Sequence, residues 1–157
     1  MKQFTATAYI IEEGKVLLLN HAKLKKWLPP GGHVEENETP VEAMHREVME
    51  ETGLEVEIIE QENLKVDFWN AKSISRPYLC LLEEIPPFAD TPAHQHIDFI
   101  YLARPKTTPL LPQDVKWFTL QEVEILSLEE IFEETKQTIR HLLCPVKESS
   151  LPQRAST

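Results

Sequence analysis

The sequence predicts an α/β fold, a central mixed β-sheet covered on two sides by helices of unequal character. Three observations predict it. Phe4 to Ile11 and Lys15 to Asn20 are β-forming runs separated by Glu12-Glu13-Gly14; Thr39-Pro40 opens an amphipathic stretch that Gly53 closes; and Leu128 to Leu143 carries apolar residues at helical spacing.

In chain order, the first run alternates Thr5 and Thr7 with Ala6 and Ala8, and the Glu-Glu-Gly turn returns it as a second strand. His21 to Lys26 is a basic loop with Lys23, Lys25 and Lys26. Such a loop is either simply solvated or a phosphate-attracting rim. Gly31 and Gly32 are expected to turn the backbone tightly. Thr39 serves as N-cap and Pro40 as the first helical residue, so a helix runs to Gly53 and buries Val41, Met44 and Val48. Glu55 to Asn63 alternates as a strand with one wet face, and Val66 to Trp69 and Ser75 to Glu84 read as extended. The run Tyr78 to Leu82 suggests burial on both faces. Prolines make Ile85 to Pro92 a loop. His96 to Arg104 is a strand with Ile97, Phe99 and Tyr101 opposite His96, Asp98 and Ile100. Pro105 to Asp114 is a loop, Val115 to Thr119 a short strand, Gln121 to Val123 one helical turn, and Leu128 to Leu143 the closing helix that Pro145 ends. One domain over 1–145 and a flexible tail over 146–157 are expected.

The chemistry concentrates in Gly31 to Leu54. Glu47, Glu50 and Glu51 fall within about a third of the helix circumference, beside its buried face, where their repulsion calls for a neutralising cation. No Cys or His joins them on that face. Hard carboxylate oxygens suit Mg2+ or Mn2+ better than zinc. A Glu-rich helix is more often only a solvated face, so the flanking residues decide the matter.

Those flanks are Gly32, five residues, Glu38, seven residues, Arg46-Glu47-Val48, one residue, Glu50-Glu51, one residue, Gly53-Leu54. Together with Trp27-Leu28-Pro29-Pro30-Gly31 ahead of them, they resemble the signature box of the Nudix hydrolases, position for position. The resemblance implies an α/β/α sandwich and a metal-dependent enzyme that cuts a diphosphate linkage in a nucleoside diphosphate joined to another group. It makes Glu47, Glu50 and Glu51 metal ligands or bases and the Gly31 carbonyl a further ligand. Arg46 and Glu38 become a supporting ion pair. A competing reading is a nucleotide-sensing module that has kept the fold and lost hydrolysis, against which the intact acid set argues. An isoprenoid diphosphate isomerase on the same fold would need reactive groups that are not identifiable here. The extra motif of the coenzyme A subfamily is absent, as is the proline or tyrosine placement of the ADP-ribose and dinucleoside polyphosphate branches.

The chain's 157 residues, 41% hydrophobic, suffice for one core. A formal net charge of −10 disfavours nucleic-acid polymers and anionic membranes as partners, leaving a small nucleotide that binds through metal. Cys80 and Cys144 lie far apart without metal spacing, and no apolar segment has the length of a signal core or membrane span. A cytoplasmic protein is expected, with a homodimer left open. Outside the box, Trp27, Trp69, Phe88 and Trp117 stand at loops or element ends where a base can stack. Glu83, Glu84, Asp90, His94, His96 and Asp98 are the groups available as an extra acid or base, with His96 and Asp98 on one strand face. His94, His96 and Asp98 alone are too few for a zinc centre. His33 and His45, beside the box acids, are expected to be surface residues.

Overall fold

A computed structural model of the protein describes residues 1–144. Its strands are β1 (Lys2–Glu12), β2 (Lys15–Asn20), β3 (Trp27–Leu28), β4 (Gly31–His33), β5 (Val56–Ile58), β6 (Leu79–Ile85), β7 (His94–Pro105) and β8 (Val115–Thr119). The helices are α1 (Pro40–Thr52), α2 (Leu120–Glu124) and α3 (Glu133–Leu143). The sheet is mixed. β1 and β7 pair in parallel from Lys2↔Gln95 to Ile10↔Ala103, and the other pairings are antiparallel. β1 is central and buried on both faces. Ala6, Ala8 and Ile10 pack with Met44 and Val48 of α1, whereas Tyr9 packs with Ile100, Val123 of α2 and Ile139 of α3. The sheet therefore lies between α1 on one side and α2 with α3 on the other, which is the α/β/α sandwich. No helix among the described residues is long and apolar enough to cross a membrane.

α1 forms where its local signals place it. The Thr39 side chain accepts from the Glu42 amide while Glu42 accepts from the Thr39 amide, a reciprocal capping box. Gly53 closes the helix in the left-handed region at φ 76°.

Four expectations are corrected. Gly31 and Gly32 do not turn; they lie in β4, paired with Thr7 and Ala6, and neither has positive φ. The strand after α1 covers only Val56–Ile58, because β7 gives its edge to β5 up to Leu102 and then, from Ile100, to Tyr78 and β6. The run Tyr78 to Leu82 is buried on one face only. Leu79 and Leu81 point inward, while Cys80 is exposed and Leu82 is 59% exposed, since α1 packs over β1 and β4 and leaves β6 uncovered. The closing helix starts at Glu133 rather than Leu128. Lys26 Nζ donates to the carbonyls of Leu128 (3.0 Å) and Glu129 (2.8 Å), and the Trp27 amide donates to that of Glu130 (2.8 Å), so these carbonyls serve the basic loop instead of a helix. The stop at Pro145 and the tail over 146–157 lie outside the described residues.

Candidate active site

The acid cluster is built on α1 where that helix meets β4. Side by side along the sheet edge, the Gly31 amide donates to Glu51 Oε1 at 2.9 Å, tying the last box acid to the strand. The two glycines are explained by close approach. A Cβ on Gly31 would collide with the Ala6 carbonyl and Thr7, and one on Gly32 would occupy the space of the Glu47 carboxylate.

Arg46 organises the other side. Its guanidinium grips Glu38 through Nε (2.7 Å) and Nη2 (2.9 Å), donates from Nη1 to Glu47 Oε1 (2.8 Å) and from Nη2 to the His33 carbonyl (3.0 Å). A bidentate fork of this kind fixes both partners in angle as well as distance. The bond to Arg46 and the Glu35 amide hold the Glu38 carboxyl down at about 2, and Glu38 and Glu47 hold the guanidinium above its ordinary value. Glu51 behaves in the opposite way. Half-buried, and facing the charges of Glu47, Glu50 and Asp114, its carboxyl is pushed up to about 7 despite the Gly31 amide. Burial is the largest cause, and repulsion adds to it.

The donor set suits a hard divalent cation: three carboxylates on one helix face, whose crowding already makes the ionised form of Glu51 unfavourable unless a positive charge offsets it. Arg46 draws Glu47 to one side, the Gly31 amide draws Glu51 to another, and Glu50 is exposed, so among the described residues no three such groups already converge on one point.

Beside Glu50 and Glu51 an open cleft of about 550 Å³ is walled by Asn20, His21, Lys23, Pro112 and Asp114. Asp114 went unnoticed in the sequence. It sits in a proline-rich loop with no motif and reaches the site because the Asn20 amide at the end of β2 donates to its carbonyl at 2.8 Å.

The remaining candidates divide. Trp27 lines an adjoining cleft. Trp117 packs into the core on the α1 side, and Trp69, 98% exposed, and Phe88 stand on outlying turns that line neither cleft. His96 and Asp98 lie on the opposite sheet face from α1. Asp98, only 5% exposed, accepts from Thr5 (3.0 Å) and Thr7 (2.8 Å), and burial together with Asp98 pushes the Glu83 carboxyl upward. Nε2 of His94 and of His96 are 3.1 Å apart, and the His33 ring meets His96 edge-on. Burial, then the neighbouring imidazoles His33 and His94, lower the His96 pKa. His45 is exposed on the helix.

The family model described as NUDIX domain matches residues 1–142. A probable DHNTP pyrophosphohydrolase of Lactococcus lactis subsp. cremoris is 32% identical over 142 residues, covering 88% of this chain and 72% of that protein. The RNA pyrophosphohydrolase of Halorhodospira halophila is 49% identical over 43 residues, a match that spans 24% of that protein. Among solved structures, a NUDIX-family hydrolase from Clostridium perfringens superposes with a TM-score of 0.74 at 31% identity, covering 90% of this chain and 97% of that one. A C. elegans Ap4A hydrolase, at 19% identity and a TM-score of 0.58, shares the fold.

Proposed function

The chain belongs to the Nudix family and is a Nudix-type hydrolase; on that premise we propose that it cleaves a diphosphate linkage in a nucleoside diphosphate joined to another group, using a divalent cation, Mg2+ or Mn2+. Glu47, Glu50, Glu51 and the Gly31 carbonyl would hold the cation. When bound it supplies positive charge to the phosphoryl oxygens and acidifies water.

The observation that carries this reading is Glu51. Tied to Gly31 and crowded by Glu47, Glu50 and Asp114, its carboxyl has a pKa raised first by burial and then by those charges, so its ionised form calls for a cation beside it. In the hydrolysis, a water oxygen bonds to one phosphorus and the bond from that phosphorus to the bridging oxygen breaks. The water's proton passes to a carboxylate of the cluster, and the second phosphate leaves with the bridging oxygen. Arg46 and Glu38 touch no reacting atom in this scheme. They position Glu47 and the 33–38 segment.

The Lactococcus relative makes DHNTP the first substrate to assay, beside a panel of nucleoside diphosphate derivatives. Product release with magnesium or manganese and none in chelator is the expected result. Undiminished turnover after exhaustive chelation would refute the role given to the cation.

A further inference from the structure

Across the sheet from α1, three imidazoles that no step of the hydrolysis uses are gathered where β7 begins. His94 and His96 stand two residues apart on that strand, so their side chains leave the same face. β4 brings His33 to them from the far side of β1, since Thr5 pairs with His33 and Gln3 with His96.

Hydrogen bonds fix where the lone pairs lie. His94 Nδ1 is 3.0 Å from the Pro92 carbonyl, which can only accept, so Nδ1 carries the proton and Nε2 of the neutral ring keeps a lone pair. That Nε2 meets Nε2 of His96 at 3.1 Å. On the other side of the His96 ring, Nδ1 faces Glu83 Oε1 at 4.0 Å. A carbonyl behind one imidazole and a carboxyl behind the other is how metal-ligating histidines are held by their second nitrogen. Two nitrogens on one tetrahedral zinc, each at about 2.0–2.1 Å, stand about 3.3 Å apart, close to the separation found here. Burial, and then His33 and His94, already disfavour a competing proton on His96.

We propose that Nε2 of His94 and Nε2 of His96 form an open site for a divalent transition ion of the zinc type, separate from the carboxylates on α1. Imidazole suits zinc, copper and nickel, whereas the oxygens of the box suit magnesium, so the two faces of the sheet select different ions. The neighbours are engaged elsewhere. His33 Nε2 bonds Gln3 Oε1 at 2.8 Å, and Asp98 accepts from Thr5 and Thr7. Among the described residues no third donor converges on the pair, so water completes the shell. Too few for a closed structural centre, two half-buried imidazoles suffice for an open one.

The test is a zinc chloride titration of the untagged chain, with magnesium in excess, followed by nitrogen NMR of labelled histidine. The Nε2 resonances of His94 and His96 should move together, with Nδ1 still protonated, while those of His45 on α1 stay in place. By calorimetry, His94→Ala and His96→Ala each weaken zinc by about tenfold or more, and His45→Ala keeps wild-type affinity. Glu51→Gln retains the histidine response, because the box is not involved. The NMR readout uses the unaltered chain, so it stands whatever the variants do to folding. Zinc that moves neither His94 nor His96 leaves the ion in the box and overturns the proposal. A His45 response equal to theirs overturns it as surface binding, and wild-type affinity in both His94→Ala and His96→Ala reduces the pair to an N–H···N hydrogen bond.

Discussion

At Glu51 one carboxylate is costly to keep ionised in the fold and stands where the proposed chemistry needs charge. Its folded pKa of about 7 lies above the ordinary carboxylate range, so the folded chain keeps a proton that the unfolded chain has released. The resulting stabilisation is complete at low pH and is lost as pH rises through 7. In chelator, Glu51→Gln should therefore melt above the wild type at pH 8, by ~2 °C or more, with the gap closing toward pH 5. A gap of equal size at both pH values would show that Glu51 does not titrate this way. The same variant keeps the acceptor for the Gly31 amide but loses the charge and the basic site, and turnover should fall by about a thousandfold or more. Gly32→Ala probes the neighbouring acid. The atoms its methyl would strike are the far end of the Glu47 side chain, which can move, so the protein should fold with little change in melting temperature while Glu47 leaves Arg46 and activity drops. Wild-type turnover in Gly32→Ala would mean that Glu47 need not stand where it does. That Glu47, Glu50 and Glu51 share one helix face was legible in the sequence from helical spacing, and the flanking residues of the box gave the reason to single them out. Asp114 was not, since its approach to Glu51 depends on how a distant loop closes against β2.

Between elements, Arg46 joins α1 to the segment before it. Three of its contacts, Glu38, Glu47 and the His33 carbonyl, come from both sides of the capping box, so the guanidinium sets where the acid face stands relative to β4. Arg46→Ala should lower the melting temperature by several degrees and reduce turnover by at least about tenfold, through loss of positioning rather than of a reacting group. Arg46→Lys should recover part of the stability but little of the rate, because an ammonium cannot make the bidentate fork. A Lys variant as active as wild type would show that charge alone suffices. The span of α1 was legible because its signals, Thr39, Pro40 and Gly53, are local. The start of α3 was not. Helical spacing from Leu128 is genuine, and Ile131 is buried, but Lys26 and Trp27, about a hundred residues away in sequence, claim the carbonyls that a helix there would need. The apolar pattern records which residues face inward and says nothing about who takes the backbone.

For the whole molecule, a sandwich with a net charge of −10 gathers four acids, Glu47, Glu50, Glu51 and Asp114, around one cleft and sets a single lysine on its wall. The helix layers relieve only part of that charge: α1 is itself the source of three of the acids and offsets them through Arg46, which Glu38 shares, while α2 and α3 lie across the sheet. A divalent cation that binds the folded chain and not the unfolded one should therefore stabilise the entire fold. At a hundredfold excess over its dissociation constant the linkage gives about 2.7 kcal/mol. In a chain of this length each kcal/mol raises the melting temperature by ~2–4 °C, so saturating magnesium should shift it by roughly 5–10 °C at pH 8. The shift should shrink at pH 5, where a proton on Glu51 competes with the cation for the same oxygens, and it should be much smaller in Glu51→Gln at either pH. Sodium at equal ionic strength is the control, since general screening would raise all variants alike. A magnesium shift of the same size in wild type and Glu51→Gln would place the stabilising cation somewhere other than the box.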